Sequence, residues 1–268
     1  MEGRNKKFIL ELQKKPKLRK ESGLYVIDGP KMAGEVSPED AEEIFVTKEF
    51  LSSPHAGAVP VLKQKGYTVI QESEMKQISD TVTPQGILVL ARQKKLRGIR
   101  SLLEAGGSRT PLLLILETLQ DPGNLGTILR AAEAAGVTGI LSNRETVDFY
   151  SPKVVRSTMG AIFRVPFLSV EDLASAVQGI RNGEYTGGMP VQILAAHLEG
   201  ACDYTEVDYK KPTAVMIGNE SKGLSREITA LADRAILIPM CGQVESLNAA
   251  MAAAVISFEA ARQRRTTT

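Results

Sequence analysis

Residues that build metal sites and disulfide frameworks are scarce in this chain of 268 residues. It has two cysteines, Cys202 and Cys241, and two histidines, His55 and His197. The cysteines lack the spacing of a zinc site or a disulfide framework, and each histidine stands alone among its neighbours. We therefore expect two free thiols, a reducing compartment and no bound metal.

Long apolar runs and a strong net charge are also missing. No run of about 18 uninterrupted apolar residues occurs, and the N-terminus lacks the apolar core of a signal peptide, so we expect a cytoplasmic protein without a membrane span. The formal net charge is only +2. Contact with a nucleic acid would therefore depend on local basic clusters and not on a global field.

The glycine patterns of the common nucleotide-binding loops are absent as well. Gly123 and Gly126 do not form G-x-G-x-x-G, and the segment 218–224 does not form G-x-x-x-x-G-K-[ST]. A dinucleotide-binding enzyme such as a dehydrogenase is therefore disfavoured, and a P-loop is excluded. With 43% hydrophobic residues, the chain can still build the cores of two domains.

The first part of the chain predicts a small α/β domain behind a basic arm. Residues 1–20 hold Arg4, Lys6, Lys7, Lys14, Lys15, Lys17, Arg19 and Lys20. This arm is either a contact for nucleic-acid phosphates or a solvated helix face. The strands predicted behind it are Leu24–Ile27, Ile44–Val46, Tyr67–Ile70 and Gly86–Ala91, with helices near 54–65 and 73–79.

A change in composition predicts the domain boundary. Residues 92–110 turn basic and then rich in Gly and Ser, so we expect a first domain at 1–98, a linker at 99–110 and a second domain at 111–268. In the second domain, the strands predicted are 112–116, 138–141, 191–195, 214–217 and 235–238, and the helices are 123–135, 153–161, 170–180 and the last one. This alternation, with an apolar run at Leu112–Leu116, is typical of a parallel α/β sheet.

Two junctions in the second domain leave apolar strands through polar loops. The first junction, 117–130, passes through a Pro-Gly turn into a helix, where Asn124 and Arg130 can face the carboxyl edge of the sheet. Arg130 could bind a phosphate or a developing oxyanion, or could simply be a surface residue of an amphipathic helix. The second junction, 217–224, contains Gly218 and Glu220. It suits close approach of a ligand to the backbone, or is a simple turn.

The third junction, 238–248, leads from a Pro-terminated strand into the last helix. Pro239 ends the strand, and Ser246 or Asn248 lies near the helix N-cap. Along the helix, Leu247, Met251, Val255 and Phe258 share one face and alanines fill the others, so we expect close packing on several sides. A polar ligand could bind at this helix start. The alternative is an ordinary buried C-terminal helix.

Together the three junctions resemble a known family. They read Asn-Leu-Gly-x-Ile-x-Arg (124–130), Ile-Gly-Asn-Glu-x-x-Gly-Leu (217–224) and Ile-Pro-Met-x-Gly-x-x-x-Ser-Leu-Asn (238–248). In this order they resemble the motifs of the SpoU (TrmH-like) branch of SPOUT RNA methyltransferases, over about 112–265. The segment 151–161 is similar to the family's stretch between its first two motifs. The part around Leu24–Gly29 is similar to an L30e-like RNA-binding domain, although Asp28 stands where the family more often has Glu.

The resemblance implies a fold, a cofactor and an assembly. The fold is a parallel α/β sheet tied into a deep trefoil knot, with S-adenosylmethionine held in the knotted loops. The assembly is a homodimer whose active site is completed across the interface. By matched position, Gly218, Ile238 and Leu247 would contact the cofactor, and Met240 and Ala195 would line its pocket. The acceptor ribose would be surrounded by Asn124, Arg130, Glu220, Ser246 and Asn248.

The activity implied is methyl transfer from S-adenosylmethionine to a ribose 2′-hydroxyl of structured RNA, with ribosomal RNA favoured. A tRNA methyltransferase and a catalytically silent RNA-binding protein of the same fold are the alternatives. Because a guanidinium is almost never neutral in a protein, we expect Arg130 to hold the alkoxide or an adjacent phosphate and not to act as a base. The proton would leave through phosphate, Glu220 or water.

Overall fold

A computed structural model of the chain describes residues 3–198, 202–244 and 246–265, and the side chains of residues 3 and 4 lie outside this description. Arg4, one of the residues of the predicted basic arm, therefore has no described side chain. Within the described residues, no helix has both the length and the apolar character that crossing a membrane would require.

The helices and strands alternate along most of the chain. The first part contains α1 (Gly3–Lys14), α2 (Pro16–Ser22), β1 (Leu24–Asp28), α3 (Pro30–Ala33), β2 (Ala41–Thr47), α4 (Lys48–Leu51), α5 (Val61–Gln64), β3 (Thr68–Ile70), α6 (Glu72–Ile78), β4 (Ile87–Arg92) and α7 (Ile99–Glu104). The second part contains β5 (Leu112–Leu116), α8 (Pro122–Ala135), β6 (Gly139–Asn143), α9 (Pro152–Ser157), β7 (Phe167–Val170), α10 (Leu173–Arg181), β8 (Gln192–Ala196), β9 (Cys202–Asp203), β10 (Thr213–Ile217), α11 (Arg226–Thr229), β11 (Arg234–Leu237) and α12 (Ala249–Arg265).

These elements form two compact units. The first unit combines Met1–Lys95 with Asp148–Phe163, and the second combines Leu96–Val147 with Arg164–Thr268. The sequence placed 148–163 in the second domain, whereas in the structure α9 packs against β1 of the first unit. The segment 99–110, predicted to be a linker, contains the helix α7. Contacts between residues far apart in the chain decided both points, and local composition could not reveal them.

The first unit is built on a four-stranded mixed sheet in the order β1-β4-β2-β3. The strand β4 pairs antiparallel with β1 and β2, and the edge strand β3 pairs parallel with β2. All four predicted strands are therefore present. Prolines and glycines divide the helix expected near 54–65 into a 3-10 turn at Pro54–Ala58 and the single turn of α5.

One basic residue of the N-terminal arm is buried. The side chain of Arg19 is 4% exposed and its Nε lies 2.7 Å from Oδ2 of Asp148. Its Nη1 donates to the carbonyl oxygens of Leu12 and Gln13 at 2.6 and 2.9 Å. Arg19 therefore joins α1, α2 and the segment 148–163 within the first unit, and cannot serve as an RNA contact as the sequence had suggested.

The second unit is built on a seven-stranded sheet in which every neighbouring pair is parallel, in the order β7-β6-β5-β10-β8-β11-β9. All residues of the central strands β5 and β10 are buried, as expected for strands covered on both faces. The predicted α/β class with a parallel sheet is confirmed. The trefoil knot implied by the resemblance stays a prediction.

The strands missing from the sequence prediction lie at the two edges of this sheet. The strand β7 is half-exposed and β9 has two residues, so neither has the apolar run that identified the central strands. The helix predicted over 153–161 ends at Ser157 because Met159 and Gly160 adopt positive φ angles of 51° and 97°. Asp172 caps α10, so that helix begins later than the predicted residue 170.

Within one chain, the last helix buries mainly its alanine-rich face, whereas the sequence predicted close packing on several sides. Its buried residues are Ala249, Ala250, Ala253, Ile256, Ser257 and Ala260. Three large apolar residues lie on another face, where Met251 is 53% exposed, Phe258 is 45% exposed and Val255 is half-buried. The alanines allow α12 to pack against α8, and they leave an exposed apolar stripe formed by Met251, Val255 and Phe258.

The buried Arg19 makes a stability prediction. Replacement by Met should lower the free energy of unfolding by about 3 kcal/mol, because the Asp148 carboxylate and two carbonyl groups lose their donors. Urea denaturation measures this. The matched control is Lys15→Met, which breaks the exposed pair with Glu11 and should cost less than about 1 kcal/mol. Equal effects of the two substitutions would contradict the structural role of Arg19.

Candidate active site

A pocket opens where three neighbouring parallel strands end. The strands β10, β8 and β11 end at Ile217, Ala196 and Leu237, and their carboxyl ends meet at one edge of the sheet. The pocket there has a volume of about 630 Å³. It is lined by residues 196–198, 217–224 and 236–238, by Met240, Ser246 and Leu247, and by Ala249, Ala252 and Ile256 of α12.

The loop after β10 is a tight turn closed by its own backbone. Asn219 N donates to Gly223 O at 3.0 Å and Gly223 N donates back to Asn219 O at 2.9 Å. The Asn219 side-chain oxygen accepts from the amides of Ser221 and Lys222 at 2.9 and 3.1 Å. A Cβ at Gly218 would lie 2.1 Å from the Gly223 carbonyl carbon. The chain's own loop therefore leaves no room for a side chain at position 218.

A chain of hydrogen bonds joins the three junctions. Asn248 caps α12, since its Oδ1 accepts from the amides of Ala250 and Met251 at 2.9 and 3.3 Å. Its Nδ2 donates to Asn124 Oδ1 at 2.9 Å, and Asn124 Nδ2 donates to Glu220 Oε1 at 3.0 Å. The amides of α12 require an oxygen acceptor, so Asn248 presents its Oδ1 to them and its Nδ2 to Asn124. Asn124 must then present its oxygen to Asn248 and its Nδ2 to Glu220. We call Asn248, Asn124 and Glu220 the polar relay.

The Glu220 carboxylate receives donors from the first junction as well. The backbone amides of Asp121 and Gln120 donate to it at 3.1 and 3.3 Å. Partial burial raises the pKa of Glu220, but the hydrogen bonds from Asn124, Asp121 and Gln120 outweigh that effect and hold the pKa below its usual value. Glu220 is therefore an ionised acceptor at neutral pH, with most of its lone pairs already in use.

The relay also depends on how α8 begins. Asp121 is the N-cap of α8, and its Oδ1 accepts from the Asn124 amide at 2.8 Å. Pro122 occupies the first helical position, where no N–H is needed. This start places Asn124 in the first turn, beside Glu220. The helix-start pattern Asp-Pro-Gly-Asn is thus the local cause of the relay geometry.

Four of the five residues expected at the cofactor line the pocket, namely Gly218, Ile238, Met240 and Leu247. Ala195 does not. It is fully buried in the hydrophobic core of the sheet, and its neighbour Ala196 lines the pocket instead, because successive side chains of β8 point to opposite faces.

The residues expected around the acceptor ribose fall into two groups. Glu220 and Ser246 line the pocket, and Asn124 and Asn248 reach it through the polar relay. Arg130 does not line the pocket. It lies in the middle of α8, is exposed, and forms no hydrogen bond or ion pair with the described residues. One chain therefore brings together four of the five residues and leaves Arg130 apart.

Sequence reasoning missed four polar residues of the pocket, among them Asn219 and Ser221 in the loop after β10. His197, which the sequence gave no role, lines the pocket directly after β8, and Lys222 lines it from the loop after β10. The end of the apolar strand preceding His197 was the signal that could have indicated its position. In the described part of the chain, no group of three or more His, Cys, Asp or Glu residues is arranged to hold a metal. Cys202 is a buried free thiol and Cys241 an exposed one.

Comparison with protein families finds two matching segments of the chain. The family model described as the SpoU rRNA Methylase family matches residues 111–258, more than half of the chain. The chain belongs to the SpoU rRNA methylase family. Residues 5–89 match a second model, described as an MRM3-like substrate binding domain. The resemblance read from the sequence is confirmed.

Individual members of the SpoU family are similar over different lengths. The chain is 39% identical to a 23S rRNA (uridine(2479)-2′-O)-methyltransferase of Streptomyces viridochromogenes, over 53% of this chain and 50% of that protein. It is 31% identical to the mitochondrial rRNA methyltransferase 3 of Homo sapiens, over 96% of this chain and 72% of that protein. The chain thus spans about half the length of the first relative.

A solved structure is similar over nearly the whole chain. It is described as an AdoMet-bound rRNA methyltransferase from Sinorhizobium meliloti, and it superposes with a TM-score of 0.78 at 29% identity. The superposition covers 97% of this chain and 95% of that one. The structural similarity therefore extends over both units of this chain.

The close packing around Gly218 predicts that a substitution there lowers the stability of the protein and does not merely remove a ligand contact. Gly218→Ala should destabilise the protein by about 3 kcal/mol, because its Cβ would overlap backbone atoms that cannot move without opening the turn. Gly223→Ala is the matched control. Gly223 has a φ of 67° with open space around it, so Ala there should cost only about 1 kcal/mol. Urea denaturation measures the free energy of unfolding of both variants. Equal losses would show that the turn accommodates a Cβ at position 218 at little cost.

Proposed function

We propose that this chain transfers a methyl group from S-adenosylmethionine to a ribose 2′-hydroxyl of structured RNA, with ribosomal RNA as the favoured substrate. The observation that carries the proposal is the polar relay at the mouth of the pocket. It joins one residue from each of the three SpoU-like junctions, at distances of 2.9 and 3.0 Å. Relatives that are named rRNA methyltransferases support the choice of substrate.

The pocket has the size and lining that the methyl donor needs. Its volume of about 630 Å³ lies within the roughly 300–1,000 Å³ common for ligand sites. Apolar walls at Ile217, Ile238 and Leu247 suit a purine ring, and Lys222 suits a carboxylate. S-adenosylmethionine supplies a methyl group already activated on a sulfonium. The similar Sinorhizobium structure is AdoMet-bound, which supports the same cofactor here.

The protein's task in such a transfer is to place the acceptor hydroxyl and stabilise its developing negative charge. Glu220 is a weak candidate for the proton acceptor, because Asn124 and two backbone amides already donate to it and its pKa is lowered. We assign Glu220 the role of orienting Asn124. The proton then leaves through a phosphate or water, while Arg130 holds the alkoxide or the adjacent phosphate.

A homodimer would explain why Arg130 stands apart from the pocket. Arg130 is exposed on α8, and α8 packs against α12, which carries the exposed stripe of Met251, Val255 and Phe258. Apolar side chains of this size are usually covered when they form a patch. We infer that the stripe packs against a second copy of the chain about a two-fold axis, and that Arg130 completes the partner's pocket.

The N-terminal unit is proposed to hold RNA through part of its basic arm. Lys7 and Lys14 lie seven residues apart on α1, so they share one helix face, and both are exposed. Neither forms an ion pair with a described residue. The match of residues 5–89 to a substrate-binding domain supports this role. A cytoplasmic location, where structured RNA is present, belongs to the same proposal.

Mapping 2′-O-methylation in RNA from cells with and without the gene tests the proposal. The expected result is the loss of methylation at a ribosomal RNA nucleotide, restored by the purified protein with S-adenosylmethionine. Loss at a tRNA nucleotide would support the tRNA alternative. Unchanged methylation in all RNA, together with RNA binding by the purified protein, would support the silent RNA-binding alternative.

The role of Arg130 makes a kinetic prediction. Arg130→Ala should lower the single-turnover methylation rate by roughly 10²–10³, because an interaction with the developing charge is lost. Binding of S-adenosylmethionine and RNA should change little. The matched control is Arg144→Ala, which removes an exposed arginine paired with Glu171 away from the pocket. A near-normal rate for Arg130→Ala at saturating substrates would remove Arg130 from the chemistry.

The apolar stripe makes a prediction about assembly. The wild-type protein should be a dimer at micromolar concentration, and Phe258→Lys should convert it to a monomer by placing a charge inside the interface. Light scattering measures the mass. Met189→Lys, a substitution at a methionine 51% exposed in the same unit, is the control and should remain dimeric. A monomeric wild-type protein would refute the dimer and the shared pocket.

A further inference from the structure

Thr118, two residues after β5, has a backbone conformation that β-branched residues avoid. Its φ is 55°, in the left-handed region where Cβ crowds the following carbonyl group. Such a conformation persists only where the surrounding structure holds it, and it is often found next to functional sites.

The buried side chain of Asn143 forms hydrogen bonds with both the backbone amide and the side-chain hydroxyl of Thr118. Asn143 is the last residue of β6 and is 8% exposed. Its Oδ1 accepts from the Thr118 amide at 2.8 Å, and its Nδ2 donates to Thr118 Oγ1 at 2.7 Å. Thr146 completes the arrangement, because its hydroxyl donates to Asn143 Oδ1 at 2.8 Å and accepts from the Leu119 amide at 3.3 Å. We call Asn143 and Thr146 the Thr118 clamp.

The conformation of Thr118 directs the next residues toward the polar relay. The Thr118 carbonyl accepts from Asn219 Nδ2 at 2.8 Å, which ties the first junction to the second. The amides of Gln120 and Asp121 follow at once, and both donate to Glu220. A change of φ at residue 118 to a negative value would turn the chain away at this point. Those two amides would then no longer face the Glu220 carboxylate.

We propose that Asn143 is a positioning residue of the methyl-transfer site, which it orders by holding Thr118 in its left-handed conformation. This inference rests on the proposed function for its catalytic consequence. Asn143 lies outside all three junctions, on a strand whose carboxyl end borders the first junction through β5. Its contribution is indirect: it fixes Thr118, Thr118 places two amides, and these amides hold Glu220 for Asn124.

The kinetic test compares two buried polar residues that are adjacent on β6. Asn143→Leu keeps a similar volume and removes the three hydrogen bonds, so kcat should fall by about 10- to 100-fold, because a small misplacement of reacting groups is costly. The KM values for S-adenosylmethionine and RNA should stay within about threefold, because the pocket walls are untouched. The control is Ser142→Ala, which removes a buried hydroxyl bonded to Ser169 at 2.8 Å and should leave kcat unchanged.

A rescue experiment separates positioning from mere stability. Glycine adopts positive φ readily, so Thr118→Gly added to Asn143→Leu should restore kcat at least several-fold. Assays are run well below the unfolding temperature of each variant. If Asn143→Leu does not fold, Thr146→Val removes only one member of the clamp and should lower kcat a few-fold. A kcat of Asn143→Leu equal to that of Ser142→Ala, or a loss that Thr118→Gly does not recover, overturns the proposal.

A structural readout keeps the inference separate from the proposed function. Crystal structures of the wild type and of Asn143→Leu report φ at residue 118 and the distances from the Gln120 and Asp121 amides to Glu220. The expected result is a negative φ and loss of those hydrogen bonds in the variant. Absence of methyl transfer by the wild type would refute the proposed function alone. Retention of the left-handed conformation and the hydrogen bonds in Asn143→Leu would refute the clamp.

Discussion

The candidate site depends on one constraint, which is that the parallel strands of the second unit all end at the same edge. Residues beyond a strand end have left the ladder, so their backbone N–H and C=O groups need other partners. In β5 and β10 every residue is buried, which leaves no room for polar chemistry within the strands. The polar side chains therefore collect in the loops at this edge, where they satisfy the freed backbone groups and form the wall of a pocket.

The donor-to-acceptor order of the hydrogen bonds in the polar relay is set by the groups at its two ends. At one end, the first amides of α12 can only donate, so Asn248 must present an oxygen to them. At the other end, the Glu220 carboxylate can only accept while it is ionised, and its lowered pKa keeps it so. Each Asn side chain between these ends has one possible orientation. Hydrogen bonds of this kind preorganise the mouth of the pocket before any substrate arrives.

The sequence predicted those features that depend on neighbours along the chain. The apolar runs of β5 and β10 and the Asn248 cap of α12 are local patterns with local causes. The burial of Arg19 could not be predicted in this way, because its partner Asp148 is 129 residues distant. The same holds for the membership of 148–163 in the first unit.

The last helix shows that hydrophobic periodicity does not by itself identify the face that is buried within one chain. Its hydrophobic periodicity was read from Met251, Val255 and Phe258, yet within one chain the alanine face is the buried one. Small side chains allow two helices to approach closely, and α8 occupies that side. Periodicity indicates which residues avoid water but not which surface covers them.

The strained backbone conformation of Thr118 and the hydrogen bonds donated to the Glu220 carboxylate depend on the same turn of the chain. The loop after β5 must turn sharply so that Gln120 and Asp121 face Glu220, and this turn requires a left-handed residue. A glycine would adopt it freely, but would give Asn143 no hydroxyl to hold. A threonine in this conformation costs about 1–3 kcal/mol in backbone strain, and the hydrogen bond from Asn143 to its hydroxyl offsets part of this cost. A clamped threonine therefore gives one fixed conformation, where a glycine would leave several accessible. On the proposed function, this rigidity is what a reaction governed by positioning requires.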